Sequence, residues 1–141
     1  MTSYQVTLGR TSDAGSLASC KTAKIVCDTG IQGRDDAFNP AELFLASIGA
    51  CMIKGIERAI PILKFALAGV EIRVEAARQD SPPKITAVSY EIVIDTTESD
   101  HRLDLLHRNI RRFGTISNTV AEALQLEGTI RKRTSAVVPA L

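Results

Sequence analysis

At 141 residues the chain has the length of one domain, residues 1–141, and burying roughly 68–70% of its unfolded surface would give it a core without disulfide staples. Hydrophobic residues make up 45% and charged residues 23%, tryptophan is absent and the net charge is +1, so nothing favours nucleic acid or an anionic membrane as partner. Three cysteines in no CxxC and two histidines, His101 and His107, argue against a disulfide scaffold, a zinc site or a Ser-His-Asp triad; no metal and no cofactor are expected.

The N-terminal third reads as strands joined by turns. YQVTLGR alternates weakly, and SLASCK and KIVCDTG are short β-capable runs closing at Gly30. Cys20 and Cys27 fall on a predicted hairpin, as small strand fillers or as thiols facing each other. IQGRDDAFN follows as a loop.

NPAELFLASIGACMIKGIERA (39–59) then carries the marks of a helix start. Asn39 is a good cap, Pro40 suits the first helical position, and Glu42 stands three residues after the cap, as in a capping box. Pro61 is expected to stop or kink this helix. Its length of about 30 Å would cross a small domain, but the apolar run is too short for a membrane span. With no basic start leading into an apolar signal core, a cytoplasmic protein is expected.

AGVEIRVEAARQ and KITAVSYEIVID alternate with period two around DSPPK, a predicted antiparallel hairpin. HRLDLLHRNIRRF changes to helical period, with Leu103, Leu106, Ile110 and Phe113 on one stripe. Ser117 is placed to cap a short helix carrying Val120 and Leu124, and LEGTIRKRT is a weak closing strand. The order β-β-β-α-β-β-α-α-β gives an α+β fold, an antiparallel sheet wrapped around the long helix. The charges of RNIRRF and IRKR fall opposite apolar residues without interleaved aromatics, which excludes a nucleic-acid surface.

From Leu43 to Ile53 the long helix has one polar side chain, Ser47, so it is expected to be buried all round. Ala46, Gly49, Ala50 and Ile53 form a stripe of mostly small residues beside Leu43, Phe44, Ile48 and Met52. One sheet cannot cover every side. Either the C-terminal helices or a second copy of the chain must do so, and a homodimer with two such helices in a shared core is favoured. Cys51 lies inside this helix. It is either a small packed hydrophobe or a reactive thiol; being far from the helix start, it needs a cation from elsewhere for activation.

NPAELFLASIGAC resembles the corresponding segment of the OsmC/Ohr family, the osmotically induced and organic hydroperoxide resistance proteins. FGTISNTVAEAL is similar to a second family segment. The resemblance implies an intertwined homodimer, reactive sites at the subunit boundary and a peroxidatic cysteine matching Cys51. That thiolate would attack a hydroperoxide and become a sulfenic acid. The family's activating arginine comes from the N-terminal region. Arg34 in the loop before the helix is preferred here, with Arg10 on the first strand as the alternative. The chain departs from the family twice. The segment that carries the resolving cysteine in a Cys-Pro-[Ile/Val]-Ser run reads Gly114-Thr115-Ile116-Ser117, without a thiol. The glutamate that orients the arginine is replaced by Ala41, leaving Glu42 as the neighbouring carboxylate. Two functions are therefore expected. One is a one-cysteine hydroperoxide reductase served by an external thiol; the other is a non-enzymatic dimer binding a small apolar or thiol-containing ligand at its interface.

Overall fold

The structure is a computed structural model describing residues 1–134. The single domain expected over residues 1–141 extends past them. The element order is the one read from the sequence, β-β-β-α-β-β-α-α-β, and the architecture is α+β. The chain forms two compact units, one of residues 1–44 and one from Leu45 onward.

In the first unit β1 (Thr7–Ser12), β2 (Gly15–Cys20) and β3 (Ala23–Cys27) form an antiparallel meander. Leu8, Ala18 and Ile25 make one cross-strand row. The register keeps the two strand cysteines apart: Cys20 stands opposite Ala23 and Cys27 opposite Ser16, so the option that they face each other fails. Cys27 is fully buried. After β3 the chain turns through Gly33, whose φ of 74° suits a residue without Cβ. The helix start is the predicted capping box. Asn39 Oδ1 accepts the Glu42 amide at 2.8 Å, and Glu42 Oε1 accepts the Asn39 amide at 2.9 Å.

Helix α1 (Pro40–Leu63) continues into the second unit and runs two residues past Pro61, against the expected stop. Its end is set instead by Lys64 at φ 51° and by the Phe65 amide donating to Ile60 O at 3.0 Å, a Schellman closure that seats Phe65 in the core. Pro61, inside the last turn, has no N–H to give to the carbonyl one turn earlier.

Strands β4 (Gly69–Asp80) and β5 (Pro83–Asp95) form the predicted antiparallel hairpin, but β6 (Gln125–Lys132) pairs parallel to β5. The sheet is therefore mixed. Helices α2 (Asp100–Phe113) and α3 (Thr115–Ala121) form a crossover that returns the chain to the start of β5, and only a crossover of that length permits parallel pairing. Val88, Tyr90, Ile92 and Ile94 of β5 are buried, as are Leu103, Leu106 and Ile110 of α2 and Ile48, Met52, Ile56 and Ala59 of α1. Phe113 departs from its predicted stripe. It is 52% exposed, and the guanidinium groups of Arg58 and Arg112 lie 5.6 and 5.2 Å from its ring centre. Ser117 does not cap α3. Gly114 holds that position, Ser117 is buried in the first turn, and Leu124 lies beyond the helix end.

The expectation of a helix buried all round is met on one side only. Among the described residues Ala46, Ser47, Ala50 and Ile53 of this helix are exposed. Gly49 is partly covered, with Val74 Cγ2 3.5 Å from where its Cβ would lie.

Candidate active site

Cys51 sits near the middle of α1, half-buried in the second unit. Its Sγ accepts a hydrogen bond from the Ile116 amide at 3.4 Å. Local sequence explains how that amide arrives. Gly114 ends α2 with extended backbone (φ −76°, ψ 117°), which breaks the helix and starts α3 at Thr115. One turn after Cys51, Gly55 lets α2 approach, since a Cβ there would lie only 3.2 Å from Ile110 Cγ2.

Gly114 is the position matched to the family's resolving thiol. A Cβ there would lie 2.8 Å from Ile110 O and 3.1 Å from Ser117 Oγ, so a side chain would require the α2–α3 junction to shift. The Ser117 hydroxyl beside it is buried without a hydrogen-bond partner.

The other sequence-predicted residues lie in the first unit. Arg34 is held by Asp36 through two bonds, Nε to Oδ1 at 2.6 Å and Nη2 to Oδ2 at 2.9 Å. Its backbone amide donates to Asp28 Oδ2 at 3.1 Å. The pairing strengthens the guanidinium as a base and holds the Asp36 carboxyl below its usual range, each chiefly through their shared hydrogen bonds. Arg34 and Glu42 line one open depression of about 520 Å³ together with Asp28, Asp35 and Asn39. Glu42 spends one carboxylate oxygen on the helix cap, two and a half turns before Cys51. Arg10 stands on β1 opposite Ser16, exposed and outside that depression. The structure thus brings Arg34 and Glu42 together and leaves Arg10 apart from them.

Sequence reasoning missed Arg58. It follows Cys51 by seven residues and Gly55 by three, a spacing that shares one helix face, but the search for a cation was directed to the N-terminal region. Among the described residues no group of His, Cys, Asp or Glu side chains is arranged to hold a metal, and no helix is long and apolar enough to cross a membrane.

Solved structures of similar fold include an OsmC-like protein from Mycoplasma pneumoniae, with a TM-score of 0.81 and 16% identity over 94% of this chain and 96% of that one. An organic hydroperoxide resistance protein OsmC from Legionella pneumophila has a TM-score of 0.72 and 17% identity, covering 92% and 97%. An organic hydroperoxide resistance protein from Elizabethkingia anophelis has a TM-score of 0.72 and 16% identity, covering 94% and 99%. No curated protein matches the sequence significantly. The model of the OsmC-like protein family matches residues 33–128, a span that includes the α1 cap, Cys51 and the Gly114–Ser117 segment. The chain belongs to the OsmC-like protein family.

Proposed function

We propose that the protein is a one-cysteine hydroperoxide reductase that uses Cys51 as nucleophile and an external small thiol as reductant. The observation that carries this reading is the half-buried Cys51 sulfur with the Ile116 amide directed at it. Two proteins of similar fold are named for organic hydroperoxide resistance, which supports the same chemistry here. The thiolate attacks the terminal oxygen of ROOH. The O–O bond breaks, the sulfur is oxidised by two electrons to the sulfenic acid, and RO⁻ takes a proton and leaves as ROH. A first external thiol displaces water from the sulfenic acid to give a mixed disulfide. A second thiol attacks that disulfide, releasing the external disulfide and restoring Cys51. Arg34, or Arg10 in its place, is the cation assigned to the thiolate, with Glu42 beside Arg34. A reducing cytoplasm would supply the thiol.

One equivalent of an organic hydroperoxide should add one oxygen to Cys51, trapped by a sulfenic-acid reagent and lost in Cys51→Ser. If Cys51 stays reduced while Cys20 or Cys27 oxidises, the reading is wrong. The absence of a thiol at Gly114 favours a second reading, a dimer that binds a small apolar or thiol-containing ligand. It expects a ligand to survive purification and Cys51→Ser to leave its binding intact.

Either function is assigned to a homodimer. The exposed flank of Ala46, Ala50 and Ile53, and the 57% and 52% exposure of Leu8 and Ile25 in the first sheet, are the apolar surfaces a second copy would cover. Light scattering at low concentration should give twice the chain mass; a stable folded monomer defeats the assignment.

A further inference from the structure

We propose that Arg58 is a positioning residue that holds the α2–α3 junction so that the Ile116 amide meets the Cys51 sulfur. The inference rests on the reading of Cys51 as the reacting thiol. Its geometry comes from side chains that reading does not use.

Phe113 is the last residue of α2, and its carbonyl is one of those a helix end leaves without an internal partner. Arg58 Nη1 donates to that oxygen at 3.3 Å. One further contact holds the guanidinium: its carbon lies 5.6 Å from the centre of the Phe113 ring. Its Nη2 occupies the space beside Gly55, 3.6 Å from where a Cβ would be. From Phe113 O the chain passes through Gly114 and Thr115, then presents the Ile116 N–H to Sγ at 3.4 Å.

Gly114 is where this path could swing. Having no side chain, it does not restrict the peptide planes on either side of it. Within the junction, Asn118 Nδ2 holds the Arg112 carbonyl at 3.1 Å, tying α3 to α2. Arg58 belongs to the helix that carries the thiol, and its bond registers the junction against the sulfur. Lysine in its place would keep the charge but lose the planar group that lies on the ring while donating to the carbonyl.

The test compares wild type with Arg58→Ala and Arg58→Lys. Alkylation of Cys51 by iodoacetamide is measured by peptide mass spectrometry against half-buried Cys20 of the same molecule, together with the amide proton resonance of Ile116. Arg58→Ala should lower the Cys51/Cys20 rate ratio roughly fivefold, as expected for a misplaced hydrogen bond to a charged group, and move the Ile116 resonance. Arg58→Lys should recover only part of either change. An unchanged ratio and resonance in Arg58→Ala overturn the proposal. So does full recovery with lysine while the resonance stays in place, because charge alone would then be the cause. Arg58→Met, which keeps an apolar stem over Gly55, replaces the alanine variant if that one unfolds. Alkylation needs no peroxide. A wild-type protein inert to hydroperoxide but sensitive to Arg58 would sink the proposed function and leave the positioning role standing.

Discussion

Gly128→Ala is expected to destabilise the protein by about 3 kcal/mol and lower its Tm by roughly 10 °C, an effect far above that of an ordinary surface-strand substitution. Gly128 stands opposite Tyr90 in the parallel β5–β6 ladder. A Cβ there would fall on Tyr90 Cγ and Cδ2 and on its carbonyl oxygen. The ring cannot retreat without loss. Tyr90 is 4% exposed, and its hydroxyl lies 2.6 Å from His107 Nε2 and 3.0 Å from Arg111 Nη1. Arg111 donates to the hydroxyl oxygen, and the hydroxyl and His107 Nε2 share a hydrogen bond whose donor is set by the imidazole tautomer. Burial first, and the Arg111 charge second, lower the His107 pKa below its ordinary 6.5, with Asp104 opposing. The unfolded chain therefore binds this proton more readily than the folded one. Stability is full above about pH 6.5 and falls as pH drops below it, until the folded imidazole also protonates. Moving the ring in Gly128→Ala would open His107 to water and shrink that acid-side loss. Urea titrations at pH 7.5 and 5.5 read both effects. A cost below about 1 kcal/mol would mean that the ring does not lie over Gly128.

Local chemistry was legible in the sequence and register was not. Asn39, Pro40 and Glu42 announce the start of α1 because a cap is written within four residues, and the β4–β5 hairpin follows from its period-two pattern. Strand alternation is the same in parallel and antiparallel pairing, so the direction of β6 was hidden in its own residues even though both helices before it were legible. Pro61 looked like a terminator because the stop is made three residues later, by Lys64, a residue type seldom found at positive φ. In the site, Cys51 and the missing thiol at Gly114 were visible as residue types. The Ile116 amide was not, since a backbone donor has no letter of its own. Arg58 stood at the right helical spacing, yet its contact with Phe113 O joins residues 55 positions apart.

The second large effect concerns turnover. Without added thiol, wild-type protein should consume about one equivalent of hydroperoxide per chain and then stop. With a small thiol such as dithiothreitol it should turn over continuously, and Cys51→Ser should fall by at least about a hundredfold under both conditions, as for loss of a nucleophile. The stop has a structural cause. The unit that carries Cys51 has no other cysteine, and the Gly114 position, besides lacking sulfur, has no room for a side chain unless the junction moves away from Ile110 O. Cys27 is fully buried in the first sheet. In the proposed cycle the sulfenic acid would wait for a thiol from solution. Under excess peroxide it should pass on to the sulfinic acid, so preincubation with peroxide alone ought to abolish the activity that dithiothreitol otherwise sustains. Intact mass separates the outcomes: one added oxygen at the stop and two after excess peroxide are expected. Loss of two hydrogens at the stop would mean an internal disulfide through Cys20 or Cys27, and the one-cysteine cycle would be wrong.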